Sequence, residues 1–188
     1  MDLSCTTLDM RGTLELNGGV LTSDSSASFG AGASVTGTGG TISVGGNLDI
    51  SGALALSGNS LELRDGCDSG NTTVLSGTLV VQNLTLRSST GRLFILPAGA
   101  NITVLGTLTV QGVGGLPARL QAASGTAVIT LAPGATLVRG NASIPPTVQI
   151  NQAASTIAPI PTLGQYGLIA LSVLMGLAFW RQRRPART

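Results

Sequence analysis

Short runs of alternating apolar and polar residues recur along the chain from residue 12 to about residue 141. The repeated unit is a glycine followed by an apolar residue at every second position, as in GTLELNG, GNLDISG, GALALSG, GTLVVQ and GTLTVQG. A period of two is typical of short strands that bury one face. Units that begin at Gly46, Gly77 and Gly106 are spaced by about 30 residues, and this spacing indicates stacked repeats.

These units predict an all-β fold, a right-handed parallel β-helix over residues 1–140. If each coil takes about 20 to 30 residues, this length makes about five to seven coils. The alternative is an antiparallel β-sandwich, in which Asn17-Gly18 and the Gly-Gly pairs would form hairpin turns. In the β-helix the apolar side chains predicted to stack inside are Leu48, Ile50, Leu54, Leu56, Leu61, Leu63, Leu79, Val81, Leu84, Leu86, Leu108 and Val110.

A different pattern closes the chain. Residues 163–180 carry no charge, and as a helix they would extend roughly 27 Å, close to the thickness of a bilayer core. The sequence therefore predicts a transmembrane helix at 163–180 with an arginine-rich tail at 181–188. Arg181, Arg183 and Arg184 would stay on the cytoplasmic side, which places the body outside the cytoplasm.

Between body and tail, residues 141–159 are uncharged and contain prolines, which predicts a spacer. An extra final coil that uses Val148 and Ile150 is the structural alternative.

The residues from 160 onward resemble a known family. The string Ile160-Pro161-Thr162-Leu163 is followed by Tyr166 and Gly167, an apolar run and terminal arginines, and this order resembles the IPTL-CTERM sorting signal of Gram-negative bacteria. The resemblance implies that a membrane-embedded exosortase-type enzyme recognises and cuts the tail, which releases the protein or transfers it to the envelope surface. The chain departs from the family pattern at Tyr166, usually Trp, and at residues 164–165, commonly Ser-Glu. An envelope protein whose membrane anchor is never cut is the alternative.

The first residues, MDLSCTTLDM, contain an acid at once and have neither a basic region nor an apolar run, so they do not form a signal peptide. Because the tail implies export, we expect an export signal, and further body, upstream of this sequence.

Composition limits the chemistry of the body. The chain has no histidine and no lysine, and before the tail it carries six arginines against eight acids. Most nucleophile and metal arrangements are therefore excluded, and nucleic-acid binding has no basic surface to support it. The repeats resemble the β-helical passenger regions of bacterial surface adhesins, so we expect an exported structural or adhesin-like protein with a surface or extracellular ligand, no cofactor and no enzymatic activity. The rival is a carbohydrate-active β-helix enzyme with Asp65 and Asp68 near its site.

Two features of the body could carry local chemistry. Asp65 and Asp68, in the run RDGCDSGN, are a weak candidate for Ca²⁺ binding, although the same residues are typical of a turn. Cys5 and Cys67 could form a disulfide in an oxidising compartment, but sequence alone gives no distance between them.

Overall fold

The computed structural model describes residues 1–67 and 70–153. Within these ranges the chain is built from 17 short or medium strands, and no helix is present. In chain order the strands are β1 (Leu8–Met10), β2 (Thr13–Glu15), β3 (Val20–Ser23), β4 (Ala27–Phe29), β5 (Ser34–Thr36), β6 (Thr41–Val44), β7 (Leu48–Ile50), β8 (Ala53–Leu63), β9 (Thr72–Val74), β10 (Thr78–Ser88), β11 (Leu93–Leu96), β12 (Asn101–Gly112), β13 (Ala118–Ala122), β14 (Ala127–Leu131), β15 (Thr136–Gly140), β16 (Ala142–Ser143) and β17 (Val148–Gln152).

Every strand pair in the described chain is parallel, because each strand pairs with the strand one coil later. Leu8 pairs with Ala27 near the start, and Thr107 pairs with Thr136 near the end, so a coil takes between about 20 and 30 residues. The result is a parallel β-solenoid of about six coils.

Each coil contributes three strand segments, and their stacking produces three faces. The first face contains β1, β4 and β7, continued by β9, β11, β13 and β16. In β8, β10 and β12 the second and third segments form one long strand, with an irregularity between Val81 and Asn83 where the chain turns the corner. The second face thus holds β2, β5, the first halves of these long strands, β14 and β17, and the third face holds β3, β6, their second halves and β15.

The core is one continuous stack of aliphatic side chains with two phenylalanines, Phe29 and Phe94. All twelve side chains that the alternating pattern predicts to be inside are buried, and none is more than 4% exposed. Each fully buried Leu or Val stabilises the fold by about 1.5 to 3 kcal/mol relative to an exposed position. The solenoid is therefore stabilised mainly by this core, which the alternation of apolar and polar residues in the sequence produces.

Parallel pairing confirms the β-helix prediction at the level of a parallel solenoid, and the antiparallel sandwich is wrong. The predicted fold class also included a C-terminal transmembrane helix, and this part of the prediction is corrected. In the described chain there is no helix with the length and apolar character to cross a bilayer. Glycine disfavours helices there, and the alternation of apolar and polar residues favours strands. Residues 163–180, where that helix was predicted, lie outside the described ranges.

The predicted boundary of the body also moves. Within the predicted spacer at 141–159, Ala142–Ser143 form β16 and Val148–Gln152 form β17, and these strands pair in register with β13 and β14. Val148 is buried and Ile150 packs against the core, as the alternative of a final coil predicts. These apolar side chains outweigh the prolines at 145 and 146, which occupy the turn before β17.

Candidate functional site

The densest polar cluster in the described chain surrounds the carboxylate of Asp65, just after β8 ends. Residues Ser88, Ser89 and Thr90 lie opposite it, at the end of the next long strand. Oδ1 of Asp65 accepts hydrogen bonds from the hydroxyls of Ser88 at 2.9 Å and Thr90 at 3.0 Å. Oδ2 accepts from the amide and hydroxyl of Ser89, at 2.6 and 2.8 Å, and from the amide of Thr90 at 3.3 Å.

A buried arginine completes this cluster. The Nε of Arg92 lies 3.3 Å from Oδ1 of Asp65, and the Arg92 side chain is only 3% exposed. Its Nη1 donates to the carbonyl of Thr72 and to the hydroxyl of Thr73, both at 3.0 Å. Arg92 therefore ties the loop after β8 to β9 and β11 on the first face, and its charge is compensated inside the solenoid.

These contacts fix the ionisation of Asp65. Burial disfavours the charged carboxylate, but the amide and hydroxyl of Ser89 and the hydroxyls of Ser88 and Thr90 outweigh that cost and lower the pKa of Asp65 to about 2. A carboxylate with so low a pKa stays ionised near neutral pH and makes a poor general acid.

The same geometry bears on the predicted Ca²⁺ site. The oxygens of Asp65 already accept five hydrogen bonds from protein donors besides the contact with Arg92. In the residues that the structure describes, no three acidic or cysteine side chains form a group suited to a metal ion. Asp68, the other predicted ligand, lies outside the described residues. What the structure shows at Asp65 is a polar junction between coils.

Beside this junction the third face has a shallow depression of about 180 Å³, lined by Glu62, Arg64, Asp65, Arg87, Ser89 and Val113. Two acids thus share one groove, which hydrolysis of a glycosidic bond requires. The carboxylate of Asp65 is already bound by Ser88, Ser89, Thr90 and Arg92. Glu62 accepts a hydrogen bond of 3.1 Å from Ser43, and Arg64 forms an ion pair with Asp24.

A second depression, of about 380 Å³, lies on the first face and is lined by Asp9, Arg11, Ser28, Gly30, Ala31, Asp49 and Ser51. Asp9 forms an ion pair of 2.9 Å with Arg11, and Ser28 donates to the same carboxylate at 3.2 Å. The hydrogen bond from Arg11 lowers the pKa of Asp9. Asp49 accepts a hydrogen bond from Ser76. These acids too take part in contacts between or within coils.

The two cysteines form a disulfide, with their Cα atoms 5.6 Å apart. Cys5 lies before β1 and Cys67 follows β8, 62 residues further along, so the bond links positions three coil lengths apart. The chains come this close because glycines occupy the corner: a Cβ on Gly66 would lie 2.2 Å from the carbonyl oxygen of Asp24 and 2.5 Å from the Cα of Gly45. The amide of Cys67 donates to that carbonyl at 2.6 Å.

Sequence reasoning singled out Asp65 but missed its partners. Ser88 and Thr90 lie 23 and 25 residues further along, close to one coil length, so the repeat period could have paired them with Asp65. Arg92 carries no comparable signal, because it opens an apolar run and looks like a residue at the surface end of a strand.

The fold and these clusters define a class: a disulfide-linked parallel β-solenoid whose charged groups mostly serve contacts between coils. Residues 158–184 match the IPTL-CTERM motif. This match confirms the sorting-signal prediction and implies, in general, processing by an exosortase-type enzyme and a location at the cell envelope or surface. No curated protein and no solved structure matches the chain.

The individual residues predicted for the sorting signal lie outside the described residues, as do the predicted topology-setting arginines. They are Ile160, Pro161, Thr162, Leu163, Tyr166, Gly167, Arg181, Arg183 and Arg184.

Proposed function

We propose that this chain is an exported surface protein whose solenoid is a structural, adhesin-like body and whose tail is cut by an exosortase-type enzyme. The observation that carries the proposal is that one chain contains both a parallel solenoid and an IPTL-CTERM motif at 158–184. The solenoid supplies a stiff body of stacked coils with extended sides, and the motif supplies delivery to the envelope.

Processing of the tail is tested by mass spectrometry of the mature C-terminus in a host that has an exosortase. A C-terminus within or before 160–167 is expected for the wild-type chain. Pro161→Ala, in the motif, should leave the tail attached, whereas Pro146→Ala, in the turn before β17, should be processed normally. An intact C-terminus in the wild-type chain would contradict processing and favour the alternative of an uncut envelope protein.

An adhesin-like role is supported by the outer side of the second face. From β8 to β17 its outward positions form two rows in register and carry no charge. The rows are Ala53, Thr78, Asn101, Val128 and Gln149, and Ala55, Val80, Thr103, Thr130 and Asn151. Depletion of charge is typical of the centre of recognition surfaces. Except for Gln149 the side chains are short, so a ligand can approach the rows closely.

This role is tested by the retention of producing cells on surfaces coated with extracellular material. Thr103→Arg places a charge in the second row and should reduce retention several-fold. Thr85→Arg, at an outward position of the third face, is the control with the same change in charge. Equal retention of both variants and the wild type would argue against adhesion through the second face.

We further propose that the body has no catalytic activity. The state of Asp65 supports this, because its oxygens are occupied by Ser88, Ser89, Thr90 and Arg92. The rival enzyme would use the groove that Asp65 shares with Glu62. Cleavage of polysaccharides by the purified chain that is lost in Glu62→Gln would contradict the proposal.

A further inference from the structure

In the described chain, the edge of β3 that faces away from β6 is covered by residues 1–5. In residues 1–5, which we name the edge clip, the carbonyl of Met1 accepts the amide of Thr22 at 2.9 Å, and the amide of Leu3 donates to the carbonyl of Thr22 at 2.9 Å. The carbonyl of Ser4 accepts the amide of Asp24 at 2.7 Å. Asp2 and Thr22 form a parallel bridge, so the clip acts as one more strand on the third face.

Few side-chain contacts hold the edge clip in place. Leu3 is half-buried and packs against the core, whereas Met1, Asp2, Ser4 and Cys5 are exposed. A segment with so little buried apolar area opens at low free-energy cost. Its strongest attachment is the covalent one, the disulfide from Cys5 to Cys67.

This disulfide lies where a redox partner can reach it. Cys5 and Cys67 are both exposed. Exposed disulfides are the ones that exchange readily with other thiols, whereas buried ones are inert.

From these observations we propose that the Cys5–Cys67 disulfide is a redox-dependent lock, which holds the edge clip over β3 when oxidised and releases it when reduced. Release would leave the amides and carbonyls of β3 unpaired, and an unpaired strand edge is a site of pairing with other chains. The timing of this switch rests on the export in the proposed function. The disulfide is absent in the reducing cytoplasm, where the edge clip is free, and it forms in the oxidising envelope.

Closing the lock requires an oxidant that carries a disulfide. The thiolate of one cysteine attacks that disulfide and forms a mixed disulfide, and the thiolate of the other cysteine then displaces the remaining sulfur of the oxidant. Two cysteine thiols become one disulfide, and the oxidant leaves as two thiols that carry the two protons. Gly45 and Gly66 assist, because they let the corner chains approach closely enough for Cys5 and Cys67 to meet.

The test is residue-resolved amide hydrogen exchange on the purified full chain, oxidised and then reduced with a phosphine under native conditions. We expect the amides of Thr22 and Asp24 to lose protection by at least about tenfold on reduction. The amides of Thr85 and Thr109, in the middle coils, should keep theirs. A Cys5→Ser/Cys67→Ser variant should match the reduced wild type and should not respond to the phosphine.

Two results would overturn the proposal. Unchanged protection at Thr22 and Asp24 would mean that the edge clip stays in place without the disulfide. An equal loss of protection at Thr85 and Thr109 would mean that the disulfide stabilises the whole solenoid and not a local clip. Neither result depends on export, so the proposed surface function would stand or fall separately, by the processing of the tail.

Discussion

The guanidinium of Arg92 lies inside the solenoid against the carboxylate of Asp65, with Nε 3.3 Å from Oδ1. The two residues belong to successive coils, 27 residues apart, so this contact forms only when the coils stack in their native register. The Arg92 side chain is only 3% exposed, yet its charge is tolerated there because it donates to the carbonyl of Thr72 and to the hydroxyl of Thr73 as well as to Asp65.

Arg92→Met should destabilise the protein by about 2 to 4 kcal/mol, measured by urea denaturation of the full chain at pH 7. The substitution leaves the carbonyl of Thr72 and the hydroxyl of Thr73 without their donor and removes the counter-charge of Asp65. Arg87→Met is the matched control, since Arg87 is exposed and forms no ion pair within the described residues; it should cost less than about 0.5 kcal/mol. Similar losses in both variants would show that the buried contacts of Arg92 contribute little.

The low pKa of Asp65 makes stability depend on pH. Its pKa is about 2 in the folded protein against 3.8 in the unfolded chain, so folding favours the ionised form. The resulting stabilisation, on the order of 2 kcal/mol, is present above pH 4 and is lost as the pH falls towards 2. Denaturation curves at several pH values should show this loss in the wild type. Asp65→Asn should lack this part of the slope, and an unchanged slope would contradict the assignment.

The core could be predicted from the sequence because one simple pattern decides it. Leu79 and Val81, for example, are buried because alternate residues of a strand point to the same face, and this holds whichever strand lies next to it. The coil length could not be read from the glycine spacing, because the units that begin at Gly46, Gly77 and Gly106 lead into strands on three different faces. The burial pattern, in contrast, depends only on residues close together in the chain.

The junction at Asp65 could not be predicted in full for the opposite reason. Its partners depend on coil lengths, which vary by several residues from one coil to the next, as the irregularity between Val81 and Asn83 shows. An error of one residue in register would replace Ser88 with Arg87 as the partner of Asp65. The edge clip was missed because the apolar-polar alternation in residues 1–5 is limited to Met1 and Leu3, which is too short to predict a strand, and the pairing with β3 is made by backbone groups.

Asn59 provides a test of the corner between the second and third faces. It is 1% exposed, its Oδ1 accepts the amide of Gly40 at 2.9 Å, and its Nδ2 donates to the carbonyl of Gly37 at 2.8 Å. Asn59→Ala should cost about 2 to 3 kcal/mol, because the amide of Gly40 loses its partner in a buried place and the carbonyl of Gly37 in a half-buried one. Asn47→Ala is the control: exposed Asn47 accepts the amide of Val74 at 2.8 Å, and water can replace it there. Equal costs, measured by thermal and urea denaturation, would mean that burial at this corner is unimportant.

Gly77, at the corner before β10, tests how closely successive coils approach. It has a φ of +90°, and a Cβ placed there would lie 2.1 Å from the carbonyl oxygen of Ile50, a backbone atom in the preceding coil that cannot move without disturbing its strand. Gly99 also has a positive φ, +84°, but no atom lies within 4 Å of its would-be Cβ. Gly99→Ala should therefore carry only the conformational cost of about 1 kcal/mol. Gly77→Ala adds the clash with Ile50 and should cost at least about 3 kcal/mol, or prevent folding. Urea denaturation of both variants measures the difference, and equal costs would show that the coil stacking at Ile50 relaxes to admit a methyl group.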